Sequence, residues 1–418
     1  MSIFGRLKKI FYFPIAYYFA VFAKVRLLLW KPIVVVITGS SGKTTLLHMI
    51  ASQLGDTAKY SFKANSSYGI PFDILGLKRE SLTVLEWPKL FLFTPFIVFK
   101  PLPKQKIYIA EVDCDRVFEG KFLGKLLKPN ITLWINTTKT HSMNFESKSK
   151  RVGKDILSVI TEEFGQLAKN TKDLVIYNQD SKNLQNFIKK MKVKQLGVSR
   201  KDFEIKYNIS FKGTEFYIDK TKYSFAYLLP EVTFYQIIMC CELVNLLGTK
   251  MDLKFKNFKA PPGRSSIFKG IRNTTLVDST YNSNLDSMKV ILQLFDQLKS
   301  ENKWIVVGDM LEQGKNEIEE HKKLAEIINT YNFDKVVLMG PRVGKIVSPL
   351  VENSVVFEMP DKVLSFLKEN LKGEEAILFK GARFLEGVVG ALLLNKSNSK
   401  NLVRREKVWQ KRREKFGL

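Results

Sequence analysis

The chain has 418 residues, of which 45% are hydrophobic, and this length and composition exclude both a disordered protein and a single ordinary domain. Its 67 Lys and Arg outnumber 41 Asp and Glu, so the formal net charge of +26 favours an anionic partner: nucleic acid, an acidic membrane surface or a phosphorylated substrate. Three cysteines without metal-ligand spacing and three histidines exclude zinc-finger and His-rich metal sites, and we expect an intracellular protein.

The first thirty residues predict a membrane-associating helix. The apolar run 10–23 follows basic residues and ends at Lys24, so it is shorter than the roughly 20 apolar residues of a spanning helix. Tyr12, Tyr17 and neighbouring cations suit a helix that lies in the headgroup region. The alternative is a helix packed on the body of the protein. A second apolar stretch, 90–99, is broken by a proline and predicts core or lid structure rather than a membrane contact.

From residue 31 onward, β-branched runs alternate with helical segments, which predicts two parallel-sheet α/β domains. The predicted strands of the first are 33–38, 107–111, 131–136 and 174–177, with an antiparallel hairpin at 212–225. Those of the second are 275–278, 304–308, 336–340, 355–358 and 376–380. The predicted organisation is a helix (1–30), a central domain (31–258), a C-terminal domain (259–395) and a basic tail (396–418), with a solvated tail helix as the default.

A phosphate-binding loop follows the first predicted strand. It is formed by Thr38, Gly39, Ser40, Ser41, Gly42, Lys43, Thr44 and Thr45. Glycines let backbone N–H groups turn toward an anion, and the helix that follows adds its dipole. Lys43 is expected to reach the β- and γ-phosphates, and the Thr44 hydroxyl to bind Mg²⁺. The loop predicts nucleotide binding, but a kinase, a motor and a ligase all remain open.

Further motifs follow the loop in a fixed order. They are NSSYGIP (65–71), EVDCDRVFEG (from Glu111), a strand leading to Asn136 and His141, PGR (262–264), DSTYNSN (278–284), GDMLEQG (308–314, with His321 downstream) and KGAR (380–383). Together with the short TGSSGKTT loop they resemble the Mur ligase family, and within it the ligases that add D-alanyl-D-alanine to a muramyl tripeptide. The resemblance extends from about residue 33 to residue 394.

The resemblance implies an α/β fold: a Mur-ligase-like central phosphate-loop ATPase domain and a C-terminal Rossmann-like α/β domain, preceded by the apolar helix. It implies an ATP- and Mg²⁺-dependent ligase that forms an amide (peptide) bond through an acyl phosphate. The expected reaction adds an amino acid or D-Ala-D-Ala to a small-molecule or lipid-linked cell-wall precursor. The expected location is the cytoplasm, at the inner face of the membrane, with residues 1–30 and the basic tail on an anionic surface.

The resemblance also assigns site residues. Lys43, Glu111 and His141 are the expected catalytic residues, and Thr44, Glu111 and His141 the expected metal ligands. The expected nucleotide contacts from the second domain, which would close over ATP, are Arg264, Asp278, Tyr281 and Asn282. The expected substrate contacts are Asn65, Ser66, Lys380 and Arg383.

Three departures from the family keep alternatives open. Only thirty residues precede the phosphate-loop strand, so the resemblance implies that the family's separate UDP-binding domain is lacking. Thr161 stands where many members have a carbamoylated lysine, and the segment 232–236 lacks the family's His-Asn helix start. The alternatives are a ligase for another carboxylate acceptor and an ATP-binding scaffold with impaired catalysis. A nucleic-acid partner is disfavoured, because the chain has no basic sheet with interleaved aromatics and no reading helix.

Overall fold

The computed structural model describes residues 3–62, 64–79, 86–139, 142–311, 313–381 and 384–417. The chain divides into two units. Unit 1 comprises Met1–Phe203, Phe234–Asp252 and Asn257–Lys259, and unit 2 comprises Glu204–Thr233, Leu253–Lys256 and Ala260–Leu418. The predicted boundary between residues 258 and 259 stays a prediction, and the structure assigns residues 204–233 to unit 2.

Unit 1 is built on a six-stranded parallel sheet. Its strands are β1 (Ile33–Thr38), β2 (Ala58–Tyr60), β3 (Ile107–Val112), β4 (Ile131–Trp134), β5 (Leu174–Asn178) and β6 (Lys194–Val198). Their order is β2-β3-β1-β4-β5-β6, so β1 lies between β3 and β4. Because both faces of the sheet are covered, the central strands are continuous apolar runs, such as IVVVIT in β1. The carboxyl ends of β1, β3 and β4 therefore meet at one edge, where the phosphate loop begins.

Nine α-helices are described in unit 1. They are α1 (Ile3–Trp30), α2 (Lys43–Leu54), α3 (Gly69–Leu75), α4 (Glu86–Ile97), α5 (Glu119–Leu127), α6 (Glu146–Val152), α7 (Ile156–Lys169), α8 (Lys182–Ile188) and α9 (Phe234–Leu246). α1 buries Ala16, Phe19 and Ala23, which are three or four residues apart, in the core of unit 1. The alternative of a helix packed on the body therefore holds for one face of α1. The part of α1 from Phe11 to Trp30 is long and apolar enough to cross a membrane, and 33% of it is buried.

Unit 2 contains two sheets. Its strands are β7 (Ile205–Ser210), β8 (Gly213–Ile218), β9 (Thr221–Phe225), β10 (Ser266–Lys269), β11 (Thr275–Ser279), β12 (Lys303–Gly308), β13 (Lys335–Met339), β14 (Ser354–Phe357) and β15 (Ala376–Lys380). β7, β8 and β9 form an antiparallel sheet that contains the predicted hairpin. The other sheet has the order β10-β11-β15-β12-β13-β14, and all its neighbouring pairs are parallel except β10 with β11. The predicted α/β fold class is confirmed.

The helices of unit 2 include the C-terminal tail. They are α10 (Leu285–Asp296), α11 (Glu317–Asn329), α12 (Pro360–Asn370), α13 (Leu385–Leu392) and α14 (Lys407–Glu414). The predicted tail helix exists, and Arg405 and Arg412 are exposed, but the expectation of a solvated tail is wrong for Arg404 and Arg413. Arg413 is buried and donates to the buried Glu386 carboxylate, 3.3 Å away, and Arg404 approaches the other oxygen of that carboxylate at 3.4 Å. A buried carboxylate needs such cationic partners, so the tail is part of unit 2.

Candidate functional site

The phosphate loop connects the end of β1 to the start of α2 and depends on two glycines with positive φ. Gly39 has φ 136°, and a Cβ there would lie 2.9 Å from the carbonyl oxygen of Asn136. Gly42 has φ 82°, and a Cβ there would lie 2.2 Å from Nε2 of Gln236. Both positions therefore require glycine for conformation and for space. Gln236 belongs to the segment 232–236, which lacks the family's His-Asn helix start, and its side chain lies against the loop.

Asn136, just beyond the end of β4, holds the loop in shape. Its Oδ1 accepts the Ser41 N–H at 3.0 Å, its Nδ2 donates to the Ser41 hydroxyl at 3.0 Å, and its carbonyl accepts the Ser40 N–H at 3.2 Å. The Ser40 hydroxyl accepts from the backbone of Thr138. Asn136 was not among the predicted site residues. Its position after the strand beside β1 is the signal that could have identified it.

Lys43 is the first residue of α2, and its ammonium group is buried beneath the loop. Nζ donates to the Gly39 carbonyl at 2.5 Å and lies 3.0 Å from Oδ2 of Asp113. No side chain among the described residues caps the N-terminus of α2, where Gly42 is the N-cap residue. The N–H groups at a helix start, a glycine turn and a lysine form a site that suits the phosphates of a nucleotide.

Thr44 and Glu111 form an oxygen-rich pair beside the loop. The Thr44 hydroxyl donates to Oε1 of Glu111 at 2.9 Å, and the Glu111 backbone N–H donates to the Ser61 hydroxyl at 2.9 Å. Glu111 lies in β3, next to the loop-bearing strand β1, with which it pairs at Ile37. A hydroxyl and a carboxylate are ligands that Mg²⁺ accepts, so these two residues would hold the metal of a bound nucleotide. The structure brings this predicted pair together.

Glu119, at the start of α5, is a buried carboxylate that joins three parts of unit 1. Its Oε1 accepts from the Ser67 backbone at 2.9 Å, from the Ser67 hydroxyl at 2.8 Å and from the Tyr12 hydroxyl at 3.2 Å. Its Oε2 accepts from the Asp115 backbone at 3.1 Å, with Arg116 at 3.7 Å. This role could not be predicted from the sequence, because every partner except Arg116 and Asp115 is distant in the chain.

The predicted substrate residues Asn65 and Ser66 precede Ser67 in this loop. The Asn65 carbonyl accepts the Asp113 N–H at 2.8 Å, which connects the loop to the carboxylate beside Lys43. The Ser66 hydroxyl accepts the Gly69 N–H at 3.2 Å, at the start of α3. Through Asp113, the segment that contains both residues is connected to Lys43 of the phosphate loop. The role of the two side chains toward a substrate stays a prediction.

The remaining predictions in unit 1 differ in outcome. His141 lies outside the described residues. The Thr38 hydroxyl donates to the Val112 carbonyl at 3.1 Å, so it supports the sheet edge. Thr161 is buried, and its hydroxyl donates to the Leu157 carbonyl one turn earlier in α7. Lys154, the nearby lysine, is an ion-pair partner of Glu162.

In unit 2, Asp278 and Lys380 are buried at the carboxyl ends of β11 and β15. Oδ1 of Asp278 accepts from the Thr280 backbone at 3.0 Å and from the Thr280 hydroxyl at 2.6 Å, whereas Oδ2 has no partner among the described residues. Burial raises the pKa of Asp278 to about 6. Burial and then the charge of Arg264 lower the pKa of Lys380 to about 7. Lys380 Nζ donates to the Asn282 carbonyl at 2.6 Å.

The turn after β11 carries the other predicted nucleotide contacts. Tyr281 and Asn282 are exposed, and the Arg264 guanidinium lies 4.7 Å from the centre of the Tyr281 ring. Arg404 from the C-terminal tail donates to the Thr280 carbonyl at 3.1 Å and to the Tyr281 carbonyl at 2.8 Å. The structure thus brings Arg264, Tyr281 and Asn282 to one place and adds Arg404, which the sequence did not identify. Arg383 lies outside the described residues.

The GDM motif has a structural explanation in unit 2. Oδ1 of Asp309 accepts the N–H groups of Arg342 at 3.0 Å and Val343 at 2.9 Å, so its carboxylate supports the segment after β13. His321 is buried: its Nε2 accepts the Met310 N–H at 3.3 Å, so Nδ1 is the protonated nitrogen and donates to the Glu317 carbonyl at 2.7 Å. Both side chains therefore stabilise the fold around β12.

Two domain models of one known family match most of the chain. The Mur ligase middle-domain model matches residues 37–232, and the Mur ligase glutamate-ligase-domain model matches residues 263–383. UDP-N-acetylmuramoyl-tripeptide–D-alanyl-D-alanine ligase from Buchnera aphidicola subsp. Baizongia pistaciae is 26% identical over 84% of this chain and 72% of its own length. The protein of that name from Escherichia coli K12 is 26% identical over 87% of this chain and 77% of its own length.

Among solved structures, MurF ligase from Thermotoga maritima in complex with ADP has the same fold. The TM-score is 0.71, with 20% sequence identity, and the match covers 96% of this chain and 84% of that one. The phosphate loop and Glu111 lie within the match to the middle-domain model, and Arg264, Asp278 and Lys380 lie within the match to the other model.

Proposed function

This chain belongs to the Mur ligase family, whose members are ATP-dependent ligases, and we propose that it joins D-alanyl-D-alanine to the carboxylate of a muramyl tripeptide precursor in cell-wall synthesis. One observation carries the proposal: a lysine, a hydroxyl and a carboxylate converge where β1 and β3 end, in a chain whose named relatives catalyse this reaction.

The proposed reaction has two steps. A carboxylate oxygen of the acceptor attacks the γ-phosphorus of ATP, the bond to the β-phosphate oxygen breaks, and ADP leaves with that electron pair. The amine of the dipeptide then attacks the acyl carbon, inorganic phosphate leaves, and the amine loses one proton. Negative charge develops on the transferred phosphoryl group in the first step, and on the acyl oxygen and the leaving phosphate in the second, so fixed positive charge and exclusion of water accelerate both.

The residues of unit 1 suit the first step. The Lys43 ammonium is within reach of the loop that would hold the phosphates, and it must leave Asp113 to reach them. Mg²⁺ held by Thr44 and Glu111 would supply positive charge to the phosphates and orient them. The loop backbone, kept open by Gly39 and Gly42 and braced by Asn136, would donate N–H groups to phosphate oxygens.

The residues of unit 2 suit the nucleotide and the acceptor. Arg264 supplies a fixed positive charge, and the exposed Tyr281 and Asn282 offer a ring and an amide to the ribose or base. Lys380 is proposed as an anion contact: a bound anion would raise its lowered pKa again and keep it charged. His141 and Arg383 remain proposed ligands of metal and substrate, respectively.

We further infer that the enzyme works at the cytoplasmic side of the membrane, with residues 1–30 on the lipid surface. The exposed apolar side chains of α1 and the basic residues around it support this location. Of the basic tail, Arg404 and Arg413 are engaged within unit 2, so the tail contributes less to a membrane contact than the sequence predicts.

The experiment is a ligase assay with purified full-length protein, ATP, Mg²⁺, D-Ala-D-Ala and a panel of muramyl peptides. Phosphate release is followed together with the mass of the product. Lys43→Ala is the active-site control, and Lys154→Ala is the matched control, since Lys154 is an exposed lysine of the same unit. We expect a new amide product with the native protein and Lys154→Ala, and at least a thousandfold less with Lys43→Ala.

Other outcomes would redirect the proposal. Turnover only with a different carboxylate acceptor would keep the ligase chemistry and reject the muramyl tripeptide. Tight ATP binding without phosphate release on any acceptor would reject the ligase and support an ATP-binding scaffold.

A further inference from the structure

α1 and α4 lie side by side in unit 1 and run in the same direction. The Tyr18 hydroxyl donates to the Phe91 carbonyl at 2.7 Å, and the two rings are 4.9 Å apart. Eight residues further along α1, the buried Arg26 guanidinium donates to the carbonyls of Ile97 at 3.1 Å and Pro101 at 2.7 Å. It also donates to the carbonyls of Val98 and Lys100. Because the last carbonyls of a helix lack partners within the helix, Arg26 caps α4 and fixes it against α1.

Each of the two helices buries one stripe and exposes large apolar side chains on another. We define the α1–α4 face by six of these exposed residues: Tyr17 (54% exposed), Val21 (59%), Leu28 (63%), Leu92 (69%), Phe96 (71%) and Phe99 (85%). Within α1 and α4 they recur at helical spacing, and in α4 they lie away from the buried stripe of Leu90, Thr94 and Ile97, whereas Phe99 follows the end of α4. The two helices that carry them are in contact through Tyr18 and Phe91. The prediction that residues 90–99 form core is therefore wrong for Leu92, Phe96 and Phe99, while the alternative of a lid stays a prediction.

The sequence around the α1–α4 face is mostly basic. Residues 3–30 and 86–106 together contain nine Lys and Arg and one acidic residue, Glu86, which pairs with Arg79. Lys24, Lys89 and Lys100, which border the face, are exposed. A surface of this kind suits a partner that is apolar in its interior and anionic at its boundary, which describes an anionic lipid leaflet.

We propose that the α1–α4 face embeds in the headgroup and upper acyl region of an anionic leaflet, with both helices parallel to the membrane plane. The inference deepens the proposed membrane location and rests on it, and it adds α4 and Phe99 as half of the contact. Phe96 and Phe99 enter the acyl region, and the bordering lysines pair with lipid phosphates.

A flat orientation follows from how α1 is held. If α1 crossed the bilayer, Ala16, Phe19 and Ala23, all fully buried in unit 1, would have to leave the core. Arg26 would give up hydrogen bonds to four carbonyls and enter hydrocarbon, where a charged side chain is strongly disfavoured. α1 passes the length and composition criterion for a span, yet its buried face belongs to the protein.

The experiment is flotation of the full chain with phosphatidylcholine vesicles that contain or lack phosphatidylglycerol. The test variant is Phe96→Ser/Phe99→Ser. The matched control is Ile318→Ser/Leu394→Ser, which removes apolar side chains of similar exposure, 60% and 65%, in unit 2. We expect the native chain and the control to float with phosphatidylglycerol vesicles, more weakly in high salt. The test variant should partition into the vesicles at least about tenfold less, because it lacks the two aromatic side chains that the lipid would bury.

Three results would overturn the proposal. The test variant could bind vesicles as well as the native chain, which would exclude α4 from the contact. Bound protein could resist extraction at alkaline pH, which would indicate that α1 crosses the bilayer. The native chain could fail to bind vesicles but form a dimer, with the test variant monomeric, which would make the face a protein interface.

Ligase failure and membrane failure are separable in this design. Lys43→Ala should float like the native chain, and Phe96→Ser/Phe99→Ser should bind ATP like the native chain, with unchanged thermal unfolding. Flotation thus reports on the face even if the chain ligates a different substrate.

Discussion

The Lys43 ammonium lies 3.0 Å from the carboxylate of Asp113, two residues beyond Glu111. Both groups are largely buried, with side-chain exposures of 7% and 18%. The lysine that should meet the phosphates of ATP is therefore neutralised by the protein itself before nucleotide binds, and phosphate must compete with Asp113 for it.

Asp113→Asn should strengthen Mg²⁺-free ATP binding about threefold to tenfold, because ATP no longer competes with a carboxylate worth ~1 kcal/mol to Lys43. Titration with a fluorescent ATP analogue in EDTA measures this. Asp73→Asn, which breaks an ion pair with Lys59 elsewhere in unit 1, is the control and should have no effect. Weaker binding seen only with Mg²⁺ present would instead make Asp113 a metal ligand.

Arg404→Ala should raise the KM for ATP about tenfold with little change in kcat. Arg404 donates to the carbonyls of Thr280 and Tyr281, and hydrogen bonds from a charged donor are worth about 1.5–3 kcal/mol. Its loss loosens the turn that presents Tyr281 and Asn282. The control is Arg405→Ala, whose side chain reaches only the Ser399 hydroxyl at 3.4 Å among the hydrogen bonds described. An equal effect of both variants would show that only the net charge matters.

Asp278→Asn should stabilise the protein at pH 8 and leave its stability unchanged near pH 4. Burial raises the pKa of Asp278 from 3.8 to about 6, so between these values the folded chain holds a proton that the unfolded chain has lost. Stability therefore falls as pH rises through this window, by about 3 kcal/mol in total, and asparagine removes that cost. At pH 8 Lys380, with a pKa of about 7, is largely neutral, so little attraction is lost with the carboxylate.

Urea unfolding of the native chain and the Asp278→Asn variant at a series of pH values measures the difference. Asparagine keeps an oxygen for the Thr280 hydrogen bonds, so the local turn is preserved. A difference in stability that does not vary with pH would contradict the assignment of the cost to the Asp278 charge.

Glu119→Gln should lower the free energy of unfolding by about 1–3 kcal/mol. Both oxygens of the carboxylate accept hydrogen bonds, from Ser67, Tyr12 and the Asp115 backbone. Glutamine replaces one of these oxygens with an NH₂ group, which cannot accept, so at least one of the partners loses its acceptor. Chemical denaturation measures the change. Glu369→Gln, an exposed glutamate on α12, should stay within about 0.5 kcal/mol of the native value. A Glu119→Gln variant as stable as this control would mean that Glu119 is not a structural centre.

The sequence was sufficient where function depends on neighbours in the chain. The apolar run of β1 and the two glycines that follow it dictate a strand, a turn and a helix, so the bounds of β1 and of the loop after it could be predicted to the residue, while phosphate binding by the loop stays a prediction. The position of Glu111 beside the loop could be predicted too, because parallel strands end at a common edge. Asp113 and Gln236 could not, since their contacts with the loop depend on which strands and helices become neighbours.

The errors have a similar physical origin. The apolarity of residues 90–99 does not show which side of α4 is covered by another element. That side depends on α1, whose Arg26 binds the Ile97 carbonyl although the two residues are 71 positions apart in the chain. The basic tail predicted a solvated helix because its charges are dense, yet Glu386, buried in α13, requires Arg404 and Arg413 as partners. The buried Glu386 carboxylate thus draws Arg404 and Arg413 away from solvent.

Glu119 also has a consequence for the reach of the enzyme. One carboxylate binds Tyr12 of α1 and Ser67 of the loop that holds Asn65 and Ser66, and the Tyr68 hydroxyl donates to the Tyr12 carbonyl at 2.6 Å. These hydrogen bonds hold α1 and the loop of residues 65–68 in one fixed arrangement. A chain resting on a leaflet through α1 would carry its phosphate loop at a constant height above the lipid. Acceptors whose carboxylate lies at that height above the lipid would then be favoured over longer or shorter ones.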